Sequence, residues 1–231
     1  MYQNKRILAV IPARGGSKGI PKKNLASLGG RPLLCYSIDS AKKSRFIDRL
    51  VVSSDSEEIL AVAAEYGAES IRRPGALATD RAKMDGALRH AILKLQKSGF
   101  APDLVVVLQP TSPFRTAETI DRAISAFADS QRRFDALTAV SCLTPKIGHI
   151  RSGRYIPAGK VGMQRQELPA WYKECGTVFV FKTQNILAQK PLFGARILPF
   201  VVSDGREILD IDTPHDLDLA ECLCAKLPKT V

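Results

Sequence analysis

No apolar run in this sequence approaches the ~18–20 residues that a membrane-spanning helix requires, and the stretch at 7–11 is too brief for a signal-peptide core. A soluble, cytoplasmic protein with no membrane partner is therefore expected. Cysteine is scarce and unpatterned: Cys35, Cys142, Cys175, Cys222 and Cys224 are odd in number, scattered, and free of C-x-x-C or zinc-type spacing. A disulfide scaffold and a structural zinc are both excluded on that reading, which leaves reduced thiols. The three histidines, His90, His149 and His215, show no H-x-x-x-H metal spacing. Sixteen Gly and fourteen Pro are too few for a low-complexity or collagen-like chain. No segment interleaves Lys and Arg with aromatics as a single-strand stacking platform would. There is no G-x-x-x-x-G-K-[S/T], because Gly19 follows Lys18, and no G-x-G-x-x-G, so neither a P-loop ATPase nor a dinucleotide-dependent dehydrogenase is supported.

What is present is an ordinary globular composition, 45% hydrophobic and 25% charged over 231 residues, enough for one α/β-sized unit. The net charge of +11 points to anionic partners: nucleotide phosphates, an acidic metabolite or nucleic acid. Because the basic residues are spread along the chain, nucleic acid is the minority reading. Short apolar runs at 6–12, 50–54, 103–108, 136–142, 176–181 and 196–201 read as strands. Between them, residues 32–43, 56–66, 84–95 and 116–128 read as helices, and a final helix is expected at 214–224 with Thr213 or Asp212 as its cap. Strands alternating with helices predict a three-layer α/β/α, Rossmann-like fold with a mainly parallel sheet. Residues 143–172 break the pattern with Pro, Gly, basic residues and isolated Ile147, Ile150, Tyr155, Ile156, Val161 and Met163. The prediction there is a protruding dimerisation arm on a single 1–231 domain.

The chemistry gathers where strands end. Directly after the first strand comes Pro12-Ala13-Arg14-Gly15-Gly16-Ser17-Lys18-Gly19-Ile20-Pro21-Lys22-Lys23-Asn24. Glycines at a strand end let backbone N–H groups approach a polyphosphate, and Arg14, Lys18 and Lys23 supply cations to neutralise it. A flexible basic loop is the alternative. Asp210-Ile211-Asp212 places two carboxylates on one side of an extended segment, with Ile211 toward the core. Hard oxygen ligands of that kind suit Mg2+ beside a triphosphate; the competing role for Asp212 is to cap the helix at Pro214. Gln109, at the end of a buried strand, can both donate and accept, which fits a hydroxylated or acylamino sugar.

Four ordered motifs carry a resemblance over nearly the whole chain: I-P-A-R-G-G-S-K-G-I-P-K-K-N at 11–24, Arg73-Pro74 with Leu77-Ala78-Thr79-Asp80, Gln109-Pro110-Thr111-Ser112-Pro113-Phe114-Arg115, and Asp210-Ile211-Asp212-Thr213. Together they resemble the acylneuraminate cytidylyltransferase (CMP-sialic acid synthetase) family. The resemblance implies attack of a sugar-acid anomeric hydroxyl on the α-phosphorus of CTP, release of pyrophosphate, magnesium as cofactor, and a homodimer. It implies a nucleotide site of Ala13, Arg14, Gly15, Ser17, Lys18, Lys23, Asn24 and Arg73, and a substrate site of Gln109, Arg165 and Gln166. Arg14, Lys18, Lys23, Asp210 and Asp212 are the catalytic candidates, with Asp210 and Asp212 as the metal ligands. The chain departs from the pattern at Glu174-Cys175-Gly176, where relatives commonly carry Asn before Gly. Use of GTP, or of an eight-carbon acid such as Kdo, remains the enzymatic alternative, and a non-catalytic nucleic-acid-binding protein the different-class one.

Overall fold

The computed structural model describes residues 1–158, 164 and 167–226. In chain order, the first elements are β1 (Ile7–Pro12), a short ladder of β2 (Ser27–Leu28) with β3 (Arg31–Pro32), α1 (Leu33–Lys42), β4 (Arg49–Ser54) and α2 (Glu57–Glu65). Then come β5 (Glu69–Arg72), α3 (Met84–Lys97), β6 (Leu104–Val107), α4 (Ala117–Ser130) and β7 (Ala136–Leu143). The chain finishes with β8 (Gly148–Arg151), β9 (Arg154–Pro157), β10 (Trp171–Lys182), α5 (Thr183–Leu187), β11 (Ile197–Val201) and α6 (Pro214–Cys224).

Seven strands form the central sheet in the order β11-β7-β10-β6-β1-β4-β5. β1 lies at its heart, and its apolar run divides by strand periodicity: Ile7, Ala9 and Ile11 enter one layer, Leu8 and Val10 the other. Helices α1, α2 and α4 cover the first layer through Ile38, Ile59 and Phe127. Helix α3 covers the second through Leu88 and Leu95, joined by Ile186 of α5. Helix α6 packs on a smaller cluster of Ile20, Leu28, Leu33 and Ile211. The three-layer α/β/α architecture is therefore as expected. β10 runs antiparallel to both its neighbours while the other strands of the sheet run parallel to one another.

Helix boundaries follow local chemistry. The Thr116 hydroxyl accepts from the Thr119 N–H at 3.1 Å to start α4. At α6 it is Thr213, not Asp212, that caps, in a reciprocal capping box with Asp216. Six elements were not foreseen: the short strands β2, β3, β8 and β9, together with β5 and α5. β5 is a four-residue edge strand, and only Ile71 in it is fully buried; α5 is a single turn. β10 also begins at Trp171, earlier than the expected 176, because its first four residues are exposed and carry no burial pattern. Within residues 143–172, β8 and β9 form an exposed hairpin displaying Ile150, Tyr155 and Ile156. Val161 and Met163 lie outside the described residues.

The chain order also places the functional crevice. From β1 it steps outward through β4 to β5, then returns through α3 to β6 on the other side of β1. At that reversal the connections leaving β1 and β6 diverge, which opens a crevice at the carboxyl ends of the strands, where open α/β sheets bind ligands.

Candidate active site

The crevice has a volume of about 490 Å3. It gathers most of the residues singled out in the sequence: Arg14, Ser17, Lys18, Lys23 and Asn24 from the loop after β1, Arg73 after β5, Gln109 after β6, and Asp212 before α6. Leu77, Met84 and Ala87 give it an apolar wall. Two predicted residues stand behind the wall. Ala13 is fully buried and donates its N–H to the Ser53 carbonyl at 3.0 Å; Gly15 donates its N–H to Asp55 Oδ1 at 3.0 Å. Arg165 and Gln166 lie outside the described residues.

The basic loop is shaped by its own contacts. Asn24 Nδ2 donates to the Arg14 carbonyl at 2.8 Å, closing the loop across its base. Gly19 passes so near the Asp212 backbone that a Cβ there would sit 2.3 Å from the Asp212 carbonyl oxygen. The adjacent lysines diverge: Lys22 pairs with Glu58 at 2.8 Å outside the crevice, whereas Lys23 lines it and pairs with Asp212 at 2.9 Å. Asp80 spans two more cations, with Oδ1 2.6 Å from Arg14 Nη1 and Oδ2 2.9 Å from Lys18 Nζ. Hydrogen bonds from Lys18 and then Arg14 hold its carboxyl below the usual range.

Arg73 is buried, its nearest carboxylate, Asp55, is 4.0 Å away, and its Nε has no partner among the described residues. Burial pushes its guanidinium pKa down, opposed by Asp55. A buried, under-paired guanidinium on a crevice wall is matched to an anionic or carbonyl-bearing ligand.

A second buried arginine organises the opposite wall. Arg115 is 3% exposed and donates to the Thr177 carbonyl (2.6 Å), the Ser37 hydroxyl (2.6 Å) and the Gln109 carbonyl (3.1 Å). Burial lowers its pKa to about 9, against the attraction of Glu207 and Asp210, so it stays charged at neutral pH. The Gln109 segment is thus fixed from below, and the Ile211 N–H donates to the Thr111 carbonyl at 2.8 Å, tying the Asp210–Asp212 segment to it. Gly176 of β10 leaves room for the Gln109 side chain, since a Cβ there would lie 2.2 Å from Gln109 Oε1.

The two carboxylates do not share one environment. Asp212 is exposed and lines the crevice; Asp210 does not line it and is half-buried, with an Oδ1 that has no partner among the described residues. An orphaned carboxylate oxygen is the kind of donor that a hard cation takes, although the charge acting with Asp210 here is that of buried Arg115. Among the described residues no group of three or more His, Cys, Asp or Glu gathers to hold a metal, so a cation here would depend on this pair and on ligand oxygens. Cys175 is buried, and burial raises its thiol pKa, which is the opposite of an activated nucleophile.

Three contributors were given no site role in the sequence reading. Asp55 follows β4, and its position beyond the carboxyl end of a parallel strand was the available signal. Asp80 and Arg115 were visible only as the last residues of two motifs, and nothing local marks the pairing of the one or the burial of the other.

A glycine-rich basic loop after the first strand of this sheet, packed against a carboxylate segment at the crevice, defines a nucleotidyltransferase. The fold matches the solved structure of a CMP:2-keto-3-deoxy-manno-octonic acid synthetase complexed with CTP, with a TM-score of 0.74 at 17% identity, covering 96% of this chain and 99% of that one. The chain belongs to the cytidylyltransferase family, whose sequence model matches residues 8–227. It is 34% identical over 223 residues to a CMP-N,N'-diacetyllegionaminic acid synthase of Legionella pneumophila, covering 94% of this chain and 96% of that protein. It is 31% identical to an N-acylneuraminate cytidylyltransferase of Escherichia coli, covering 93% of this chain but about half (51%) of that longer relative. Among the described residues no helix is long and apolar enough to cross a membrane.

Proposed function

We propose that this enzyme transfers CMP from CTP to the anomeric hydroxyl of a nonulosonic acid and releases pyrophosphate. The hydroxyl oxygen bonds to the α-phosphorus, the bond from that phosphorus to the α–β bridging oxygen breaks, and the electron pair leaves with pyrophosphate. The carrying observation is that Arg14, Lys18, Lys23 and Arg73 converge on one crevice that Gln109 and Asp212 also line. The names of the legionaminic and acylneuraminic relatives support the acceptor class.

In this reading Arg14, Lys18 and Lys23 neutralise the triphosphate, and the Leu77, Met84 and Ala87 wall takes the base. Gln109 hydrogen-bonds the sugar acid, with Arg165 and Gln166 approaching its carboxylate. Asp210 and Asp212 would hold Mg2+, which when bound would stabilise charge on the reacting phosphate and favour loss of the acceptor proton. Residues 1–231 act as one soluble, cytoplasmic nucleotidyltransferase unit. Residues 143–172 form its dimerisation arm, because Ile150, Tyr155, Trp171 and Tyr172 are exposed apolar groups gathered around one hairpin and strand end.

The test is pyrophosphate release across four nucleoside triphosphates and a panel of legionaminic, pseudaminic and sialic acids and Kdo, with magnesium. Release with CTP and a nonulosonic acid is expected; release only with GTP or only with Kdo would replace the reading. Asp210→Asn and Asp212→Asn should each abolish turnover without altering the melting temperature. A monomer by light scattering at micromolar concentration would refute the dimer.

A further inference from the structure

Asp80 lines the crevice but has no part in the proposed reaction, and it sits on two of the three cations assigned to the triphosphate. Its oxygens are divided between them, 2.6 Å to Arg14 and 2.9 Å to Lys18. A carboxylate bridging two cationic donors and a phosphate bridging the same two make equivalent charge-assisted contacts, so they compete. They cannot coexist cheaply, because a carboxylate held beside a polyanion repels it.

We propose that Asp80 is the resident counterion of the phosphate subsite. It holds Arg14 and Lys18 between turnovers, yields them to the triphosphate, and retakes them as pyrophosphate leaves. This inference rests on the proposed function. Its consequence is a weaker grip on pyrophosphate, in exchange for a site whose cations stay positioned and whose product departs.

The local structure permits the exchange. Asp80 lies in the connection between Leu77 and Met84, which carries one turn-type hydrogen bond, from the Ala82 N–H to the Thr79 carbonyl at 3.0 Å, and no helix. Its side chain is 48% exposed and that of Lys18 is 78% exposed, so releasing the pair moves both groups toward water at small desolvation cost. The Lys23–Asp212 pair differs: Lys23 is only 16% exposed, on a loop pressed against the Asp212 backbone at Gly19.

The experiment titrates inorganic pyrophosphate and inorganic triphosphate, without metal, into wild type, Asp80→Asn and Asp80→Ser by calorimetry. Asp85→Asn, altered on α3 at a side chain that does not line the crevice, is the control. Both Asp80 variants should bind pyrophosphate about three- to tenfold more tightly than wild type, the range set by exposed ion pairs, and Asp85→Asn should match wild type. The gap should narrow as salt screens the pairs, and pyrophosphate should inhibit turnover of the Asp80 variants at correspondingly lower concentration. Equal or weaker binding by Asp80 variants of unchanged melting temperature would overturn the inference. Wild type binding neither CTP nor pyrophosphate would overturn the proposed function and this inference with it; wild-type binding with unchanged variants would overturn the inference alone.

Discussion

Replacing Gly19 by alanine tests whether the basic loop and the carboxylate segment form one rigid unit. The new Cβ would lie 2.3 Å from the Asp212 carbonyl oxygen and 3.5 Å from its carbon, whereas ordinary contact begins at 3.4 Å. The obstructing atom is backbone, so no rotamer change relieves it, and the loop must retreat by about 1 Å, a displacement that can cost roughly 100-fold in rate when catalytic groups are misplaced. Overpacking of this kind costs about 1–3 kcal/mol of stability, a fall in Tm of roughly 2–12 °C for a chain of this size. Gly16→Ala supplies the internal control: it belongs to the same loop, and a Cβ there meets nothing within 4 Å. The assay is kcat/KM for CTP by pyrophosphate release, with thermal melting alongside. Wild-type kinetics in Gly19→Ala, or equal damage in Gly16→Ala, would refute the reasoning.

The split between neighbouring lysines predicts that Lys23→Ala lowers kcat/KM for CTP by about 10- to 100-fold, from a lost charge-assisted contact of roughly 1.5–3 kcal/mol. Lys22→Ala, which loses only its exposed pair with Glu58, should be nearly silent in the same assay. Gly176→Ala strikes the far end of the Gln109 side chain and the buried Ser112 hydroxyl, so it should raise KM for the sugar acid severalfold with a modest fall in melting temperature while leaving KM for CTP near wild type; an unchanged sugar-acid KM contradicts this. Under a thiol-reactive disulfide at pH 8, exposed Cys142 and Cys222 should react quickly, and buried Cys35 and Cys175 only on unfolding. Burial also raises the pKa of the latter two thiols, so they hold less thiolate than the exposed pair at the same pH while folded, and timed labelling with mass spectrometry would record the order.

Most of the sheet was legible because β1, β4, β6 and β7 are apolar runs ending in loop signals, a pattern that strands buried on both faces impose. α6 was legible to the residue, since Thr213, Pro214 and Asp216 encode its start within four positions. The place of the basic loop at the crevice was legible for the same reason: its composition and its position after a strand are both local. What was not legible depends on distant partners. Asp80 reaches Arg14 across 66 positions and Arg115 reaches Ser37 across 78, and no local pattern announces either bond. The direction of β10 was hidden as well, because alternation is identical whichever way a strand runs.

That reversed strand has a consequence for how the chain is made. β6 carries four fully apolar residues, Leu104–Val107, and on one side it is paired by β1 as soon as it forms. Its other edge waits for the far part of β10, Phe179–Lys182. With synthesis at about 5–20 residues per second, that edge stays open for roughly 4 to 14 seconds on the ribosome. An unpaired apolar edge of this kind is a template for the wrong partner, including the same edge of another nascent chain. The amino-terminal half of the sheet can assemble as β5-β4-β1-β6, but its solubility hangs on the arrival of the strand that closes it, so translation stalled before residue 171 should yield aggregates rather than a stable half-domain.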